Sequence, residues 1–434
     1  MKRKNNLVAT FLILIGISLF TLQIAYAQTN TESDLISITL DVNDEDGVLY
    51  NENTIQVFVE IKNTAEKQIQ VYVRWNILTD NHFPLFDVTV PQKVEANATL
   101  KSYCPLYQFQ GSGFYQIKVE VTTENGKVLR DRKTIGIDPE KITTPLDAED
   151  DFETFWQEAL KEQKAVNPEY KISPIERDKS AKTNLFKVEI KSLDGLTVRG
   201  WLEVPKKSGK HPALLRVPGY TENLTPVDKY DDLIVFSFNT RDHGESDDTG
   251  KRGWDMWVRG LDDKKEFYYK DIILDCIQAL DYLCSRDDVD KDRIAVWGGS
   301  QGGGLSFTTA ALDNRISLCI ADIPFLCEYP RYFEISHWDE IDAWFAQHPE
   351  QTWTSMFRTL SYFDTKNMAH KITCPVYMGI GLQDDVCPPA TSFVTYNYLS
   401  CPKEYSIYKY EQHSQPDNHY ENRFLKIRKV FKMD

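Results

Sequence analysis

Residues 294–304 read Ile294-Ala295-Val296-Trp297-Gly298-Gly299-Ser300-Gln301-Gly302-Gly303-Gly304, an apolar strand that passes through Gly-x-Ser-x-Gly into a helix of small residues. That order is a nucleophile elbow. A serine on a strained strand-to-helix turn exposes its hydroxyl. Gly298 and Gly302 are required there because side chains would collide with the neighbouring strand and helix. The pentapeptide alone is a weak signal, and the strand before it and the helix after it supply the context that gives it meaning. The helix N-terminus behind Ser300 offers free backbone N–H groups and a dipole to a developing oxyanion. The expected donor is the N–H of Gln301, the residue after the nucleophile.

Working outward, strand-like runs at 186–190, 198–204, 213–217, 233–238, 318–321, 376–380 and 405–410 alternate with helical stretches such as 269–283. Ala213-Leu214-Leu215 and Ile234-Val235-Phe236 are apolar on both faces, as parallel strands covered by helices must be. The fold class predicted for 151–434 is therefore α/β, a doubly wound sheet of the α/β-hydrolase type. It opens with an amphipathic helix over 151–166 that carries Phe152, Phe155, Trp156, Ala159 and Leu160 on one face.

In this fold the triad order is serine, acid, histidine, so the partners of Ser300 are expected C-terminal to it. The strand 376–380 ends in Gly381-Leu382-Gln383-Asp384-Asp385, which puts Asp384 or Asp385 in the loop at a strand's carboxyl end, where α/β sheets build their sites. Asp384 is preferred, and the other aspartate reads as a helix cap. After the strand 405–410 comes Glu411-Gln412-His413, and His419 lies six residues further on. His413, in the loop after the last strand, is the better general base; His419 is the alternative, and a lone histidine is more often structural.

Upstream, 34–138 shows short alternating segments separated by Asn, Asp and Gly turns, which predicts an N-terminal immunoglobulin-like β-sandwich of about seven strands. No chemistry is assigned to it. Residues 139–150, with two prolines and several charges, read as a linker. Residues 1–27 combine Lys2, Arg3 and Lys4, an apolar run, and Ala25-Tyr26-Ala27. They read as a cleavable signal peptide, with an uncleaved anchor as the alternative. The expected location is periplasmic or secreted, with no membrane attachment after cleavage.

A net charge of -15 without a basic stripe excludes a nucleic-acid surface. Of the eight cysteines, Cys276, Cys284, Cys319 and Cys374 sit in apolar patterns, where cysteine serves as a small hydrophobe, so free thiols are expected. The eight histidines show no metal-ligand spacing, and neither a metal nor another cofactor is expected.

Most of 151–431 resembles carbohydrate esterase family seven, the acetyl xylan esterases and cephalosporin C deacetylases. The resemblance rests on the serine motif at 298–304, on Ala321-Asp322-Ile323-Pro324-Phe325-Leu326, and on Gly381-Leu382-x-Asp384-x-Val386-x-Pro388-Pro389. Trp257-Val258-Arg259-Gly260 and Arg358-Thr359-Leu360-Ser361-Tyr362-Phe363-Asp364 add to it. It implies Asp384 as the acid, and Tyr220, in Pro218-Gly219-Tyr220, as the second backbone oxyanion donor. It implies deacetylation of a small acetylated carbohydrate such as a xylo-oligosaccharide, and a ring-like homohexamer.

Two places depart from the family pattern. Its Arg-Gly-Gln is Arg241-Asp242-His243 here, and its Gly-His-Glu is Gln412-His413-Ser414. The N-terminal sandwich is also an addition, of a size that competes with ring packing. The competing functions are a serine peptidase of the prolyl oligopeptidase kind and an inactive carbohydrate-binding or scaffold protein. The first is disfavoured because 34–138 shows no repeated blades, the second because Ser300, Asp384 and His413 are all intact.

Overall fold

The structure, a computed structural model, describes residues 35–433 except 249 and 251. The leader read over 1–27 lies outside the described residues.

Eight strands come first: β1 (Ile36–Val42), β2 (Val48–Leu49), β3 (Val57–Asn63), β4 (Ile69–Thr79), β5 (Pro84–Val94), β6 (Ala98–Tyr103), β7 (Gly113–Thr123) and β8 (Val128–Ile137). They form a three-stranded sheet, β1-β3-β6, and a five-stranded sheet, β2-β8-β7-β4-β5. Side chains alternate across each strand, so Val71, Val73, Trp75 and Ile77 of β4 and Ile117, Val119 and Val121 of β7 face inward. They meet Leu40, Val59 and Ile61 of the smaller sheet in one apolar core. The even-numbered residues of β7 consequently point out of that core on the other side of the sheet.

The remaining elements are α1 (Phe152–Lys164), β9 (Lys171–Ile175), β10 (Thr183–Lys191), β11 (Thr197–Pro205), β12 (His211–Arg216), β13 (Ile234–Asn239), α2 (Tyr268–Ser285), β14 (Val289–Gly299), α3 (Gln301–Leu312), β15 (Leu318–Asp322), α4 (Tyr329–Ile335), α5 (Asp339–Gln347), α6 (Trp353–Ser361), β16 (Val376–Gly381), α7 (Pro389–Tyr398), β17 (Lys403–Tyr408) and α8 (Asp417–Phe431). The nine strands make one sheet of order β17-β16-β15-β14-β12-β13-β11-β10-β9. β12 to β17 run parallel, and β9 to β11 form an antiparallel flank. This is the α/β-hydrolase fold. Its strands are apolar on both faces: Leu215, Ile234, Phe236, Val296 and Cys319 bury against the larger helical core, while Leu214, Val235, Ala295 and Ile320 bury on the other side.

The stretch 139–150, read from its composition as a linker, is strapped down. The Asn397 amide donates to the carbonyls of Pro139 (2.9 Å) and Ile142 (2.7 Å), and Asn367 donates to the Asp147 carboxylate at 2.8 Å. Its polar groups find partners on the folded surface, which a composition reading does not anticipate.

The β-rich N-terminal part is fastened to the α/β part as well. Val48 and Phe114 join the large core, and Phe114 packs on Phe393 with ring centroids 5.7 Å apart. The Lys409 ammonium donates to the carbonyls of Val42 (2.9 Å) and Asp44 (2.7 Å) and pairs with Asp41 at 2.9 Å. Arg331 pairs with Asp80 at 2.7 Å.

Candidate active site

The turn between β14 and α3 carries Ser300 at φ 57°, ψ −122°, a conformation that costs an L-residue about 1–3 kcal/mol and is held by its surroundings. The Ser300 N–H donates to the Asp322 carbonyl at 2.9 Å, and its own carbonyl accepts from Phe325 at 2.9 Å and Gly303 at 2.9 Å. The elbow closes only with glycine at its shoulders. A Cβ on Gly298 would stand 2.6 Å from the backbone of Gly302, and one on Gly302 would stand 2.6 Å from the Val217 carbonyl oxygen. The Ser300 side chain reaches the thiol of Cys387, which burial pushes well above its ordinary pKa, so that sulfur stays a neutral thiol.

At the ends of β16 and β17, the His413 ring and the Asp384 carboxylate meet, Nδ1 to Oδ2 at 2.8 Å. A carboxylate only accepts, so Nδ1 carries the proton and Nε2 presents its lone pair. Asp384 is buried, and its other oxygen accepts the N–H groups of Val386 (2.9 Å) and Cys387 (2.8 Å), which fixes its orientation. The loop bearing His413 can approach because residue 381 is glycine: a Cβ there would sit 2.0 Å from the Gln412 carbonyl oxygen. His413 Nε2 has no hydrogen-bond partner among the described residues, the Ser300 hydroxyl included.

The other two candidates go elsewhere. Asp385 is exposed and pairs with Arg132 of β8 at 2.7 Å. His419 is fully buried. Its Nε2–H donates to Asp322 at 2.9 Å and its Nδ1 accepts from the Tyr408 hydroxyl at 2.7 Å. Arg423 and the Trp297 indole N–H also bond Asp322, each at 2.8 Å. Burial alone would raise the Asp322 pKa, but the hydrogen bond from His419 and the Arg423 charge hold it below the ordinary value. This sealed network braces the strand end from which Ser300 hangs.

The donors proposed from the sequence lie on either side of the elbow. Gln301 opens α3, so its N–H has no intrahelical acceptor. Tyr220 follows β12 in a loop tied by the Gly219 N–H, which donates to Glu222 at 2.7 Å. The Tyr220 N–H has no acceptor among the described residues. Its hydroxyl donates to the Trp254 carbonyl at 2.9 Å and accepts from the Trp257 N–H at 3.2 Å. The ring lies against Trp254 and Trp338.

His243, singled out only as a departure from the family pattern, is buried behind Gln301. Its Nδ1 lies 2.9 Å from the Arg241 carbonyl, which can only accept, so Nδ1 is protonated and Nε2 is an acceptor. The Gln301 side-chain amide donates to that Nε2 at 3.2 Å, and its oxygen accepts from Tyr269 at 3.1 Å. Burial depresses the pKa of His243, in keeping with a neutral ring. Arg241 itself pairs with the buried Asp275 at 3.0 Å and so pins the loop to α2. All eight cysteines are unpaired, with Cys276, Cys319 and Cys374 buried and Cys284 half-buried.

A mixed sheet with a nucleophile elbow after its central strand, and a carboxylate–histidine pair after its last two, defines an α/β-hydrolase. Comparison with known proteins narrows the class. The acetyl xylan esterase family model matches residues 141–430, and the chain belongs to that family. It is similar to acetyl esterase Axe7A of Xylanibacter ruminicola, at 29% identity over 333 residues, which cover 69% of this chain and 71% of that protein. Among solved structures it is similar to the acetyl xylan esterase from Paenibacillus sp. R4, at 32% identity and TM-score 0.63, covering 67% of this chain and 98% of that one. It also matches acetyl xylan esterase 1 from Thermoanaerobacterium sp. JW/SL YS485, at 28% identity and TM-score 0.63, covering 68% and 98%. The protein is an acetyl ester hydrolase, and the peptidase and scaffold readings fall away.

Proposed function

We propose that the protein removes acetyl groups from acetylated xylo-oligosaccharides through a Ser300–His413–Asp384 triad. The observation that carries the residue assignment is the 2.8 Å contact between His413 Nδ1 and Asp384, which leaves Nε2 unpartnered in the same site as a strained serine turn. In the first step the Ser300 hydroxyl leaves the Cys387 thiol, gives its proton to His413 Nε2 and attacks the acetyl carbonyl carbon. The imidazolium that forms is stabilised by Asp384. The tetrahedral oxyanion is taken by the backbone N–H groups of Gln301 and Tyr220, each worth about 3 kcal/mol in the transition state. His413 then protonates the departing sugar oxygen. In the second step it deprotonates water, which attacks the acetyl-enzyme and releases acetate and free Ser300.

The carbohydrate substrate is supported by the names of the relatives, both solved neighbours being acetyl xylan esterases. Export is supported by the basic, apolar and small-residue order of 1–27. Among the described residues no helix is long and apolar enough to cross a membrane.

The test is acetate release from acetylated xylo-oligosaccharides and from a p-nitrophenyl acyl series by the wild type and by Ser300→Ala. Strong acetyl-selective release that vanishes in the variant supports the proposal. Release that survives Ser300→Ala refutes the nucleophile, and activity on the acyl series alone refutes the substrate.

A further inference from the structure

Beyond Phe114, which packs on Phe393, the outward face of β7 and β8 is not filled by packing. Between it and the α/β part lies a cleft of ≈ 780 Å³, within the range of roughly 300–1,000 Å³ typical of ligand sites. One wall is a grid of side chains from three neighbouring strands. Asn76 of β4 stands opposite Lys118 of β7, and Gln116, Lys118 and Glu120 of β7 stand opposite Thr134, Arg132 and Arg130 of β8. The facing wall is formed by residues 335–337, 383–385 and 388–390, together with Gln412.

That second wall shares the acid loop with the candidate active site. Asp384 holds His413, Gln412 precedes it, and Pro388 follows Cys387, which touches Ser300. At the other end the wall runs into Trp338, whose ring lies 6.1 Å from that of Tyr220.

Two adjacent polar groups on the sheet wall lack partners. Gln116 is buried, at 9% exposure, and its side-chain oxygen has no hydrogen-bond partner. Lys118, two residues along the same face, makes no ion pair or hydrogen bond among the described residues. Several other charges of the cleft are already paired, Arg130 with Glu120 at 2.8 Å and Arg132 with Asp385 at 2.7 Å. The lining is thus rich in donors and acceptors, with basic and acidic groups close to balance. Such a surface suits a neutral polyhydroxylated chain better than an anion or a cation. The sheet spacing of about 4.8 Å between strands gives it a regular array along which an extended chain can bond.

We propose that this cleft binds the sugar chain beyond the acetylated residue, so that the N-terminal β-rich part is one wall of an oligosaccharide subsite and Gln116 and Lys118 are its principal contacts. The inference rests on the xylo-oligosaccharide reading above. Binding energy from remote sugars would then raise kcat/KM for longer chains over shorter ones.

The test compares kcat/KM on acetylated xylohexaose, acetylated xylobiose and p-nitrophenyl acetate for the full chain and for Lys118→Ala and Gln116→Ala, with thermal melts to verify folding. Lys118→Ala carries the test if Gln116→Ala fails to fold, because Lys118 is only half-buried. The expected result is a wild-type preference for the hexaose over the biose that falls about tenfold in either variant, the size of one lost charged or buried hydrogen bond. A wild type that deacetylates both lengths equally, or variants that keep the preference, would overturn the subsite and leave the substrate reading standing. A wild type that hydrolyses p-nitrophenyl acetate but neither oligosaccharide would overturn the substrate reading, and the subsite with it.

Discussion

The side-chain amide of Gln301 donates a hydrogen bond to Nε2 of His243 at 3.2 Å, deep behind the elbow. Gln301 follows Ser300 and supplies a proposed oxyanion donor, so a histidine on the loop after β13 bears on the geometry of the nucleophile turn without meeting substrate.

Removing that acceptor leaves the buried Gln301 amide with only its longer hydrogen bond to the Pro218 carbonyl, at 3.4 Å, and one N–H unsatisfied. His243→Ala is expected to cost about 1–3 kcal/mol in urea denaturation, the penalty of an unsatisfied buried polar group. It should also lower kcat more than it raises KM. A glutamine at 243 can accept through its side-chain carbonyl, so His243→Gln should restore kcat to within a few fold of wild type. Equal losses in both variants would remove the hydrogen bond from the account.

The same ring gives a pH dependence of known sign. Burial depresses the folded-state pKa of His243 below its ordinary 6.5, with Asp242, Arg252 and Asp275 as neighbouring charges. As pH falls through about 6.5 the unfolded chain takes up a proton that the folded chain refuses, so stability rises with pH in this window and is lost on acidification, down to the lower folded value. Urea midpoints between pH 5 and 7.5 should fall more steeply for the wild type than for His243→Gln. Parallel curves would show that the ring titrates normally.

Neighbouring aspartates should behave in opposite ways. Asp384→Asn keeps the shape but cannot hold His413 as the proton-bearing Nδ1 tautomer, and kcat should drop by about 10⁴, as for the corresponding change in serine proteases. Asp385→Asn breaks only an exposed pair with Arg132, worth about 0–1 kcal/mol of stability. Its kcat on p-nitrophenyl acetate should stay within a few fold of wild type. The reverse ranking would reassign the acid.

Thiol and serine reagents should also separate. Burial pushes Cys387 well above its ordinary pKa and raises Cys327 and Cys374 to about 12, so at pH 8 these sulfurs are not thiolates. Iodoacetamide at pH 8 should leave acetyl esterase activity intact, whereas an organophosphonate should abolish it and label Ser300, as read by peptide mass spectrometry. Inactivation by iodoacetamide with modified Cys387 would point to the sulfur beside Ser300.

Much of the site can be read from local order. The elbow at 298–302 is a steric statement about glycines, and the structure places them against Val217 and against each other. The sheet follows from apolar runs such as 213–215 and 234–236, because a parallel strand buried on both faces has no polar position to spare. At 139–150 composition shows a linker but not what holds it, because the partners that strap it are more than two hundred residues away.

By itself the sequence determined the fold class, the serine turn, and the two loops from which an acid and a base could come, since these depend on residues adjacent in the chain. Only the tertiary structure decided that Asp384 meets His413 while Asp385 turns to Arg132 and His419 is sealed against Asp322. It alone gave His243 its contact with Gln301 and turned the outer face of β7 toward the acid loop. The physical reason is that hydrogen bonds and cleft walls depend on which groups lie within about 3 Å or face one another in space. Neighbouring aspartates, two histidines six residues apart, or alternate residues of one strand differ in that respect only once the sheets are packed.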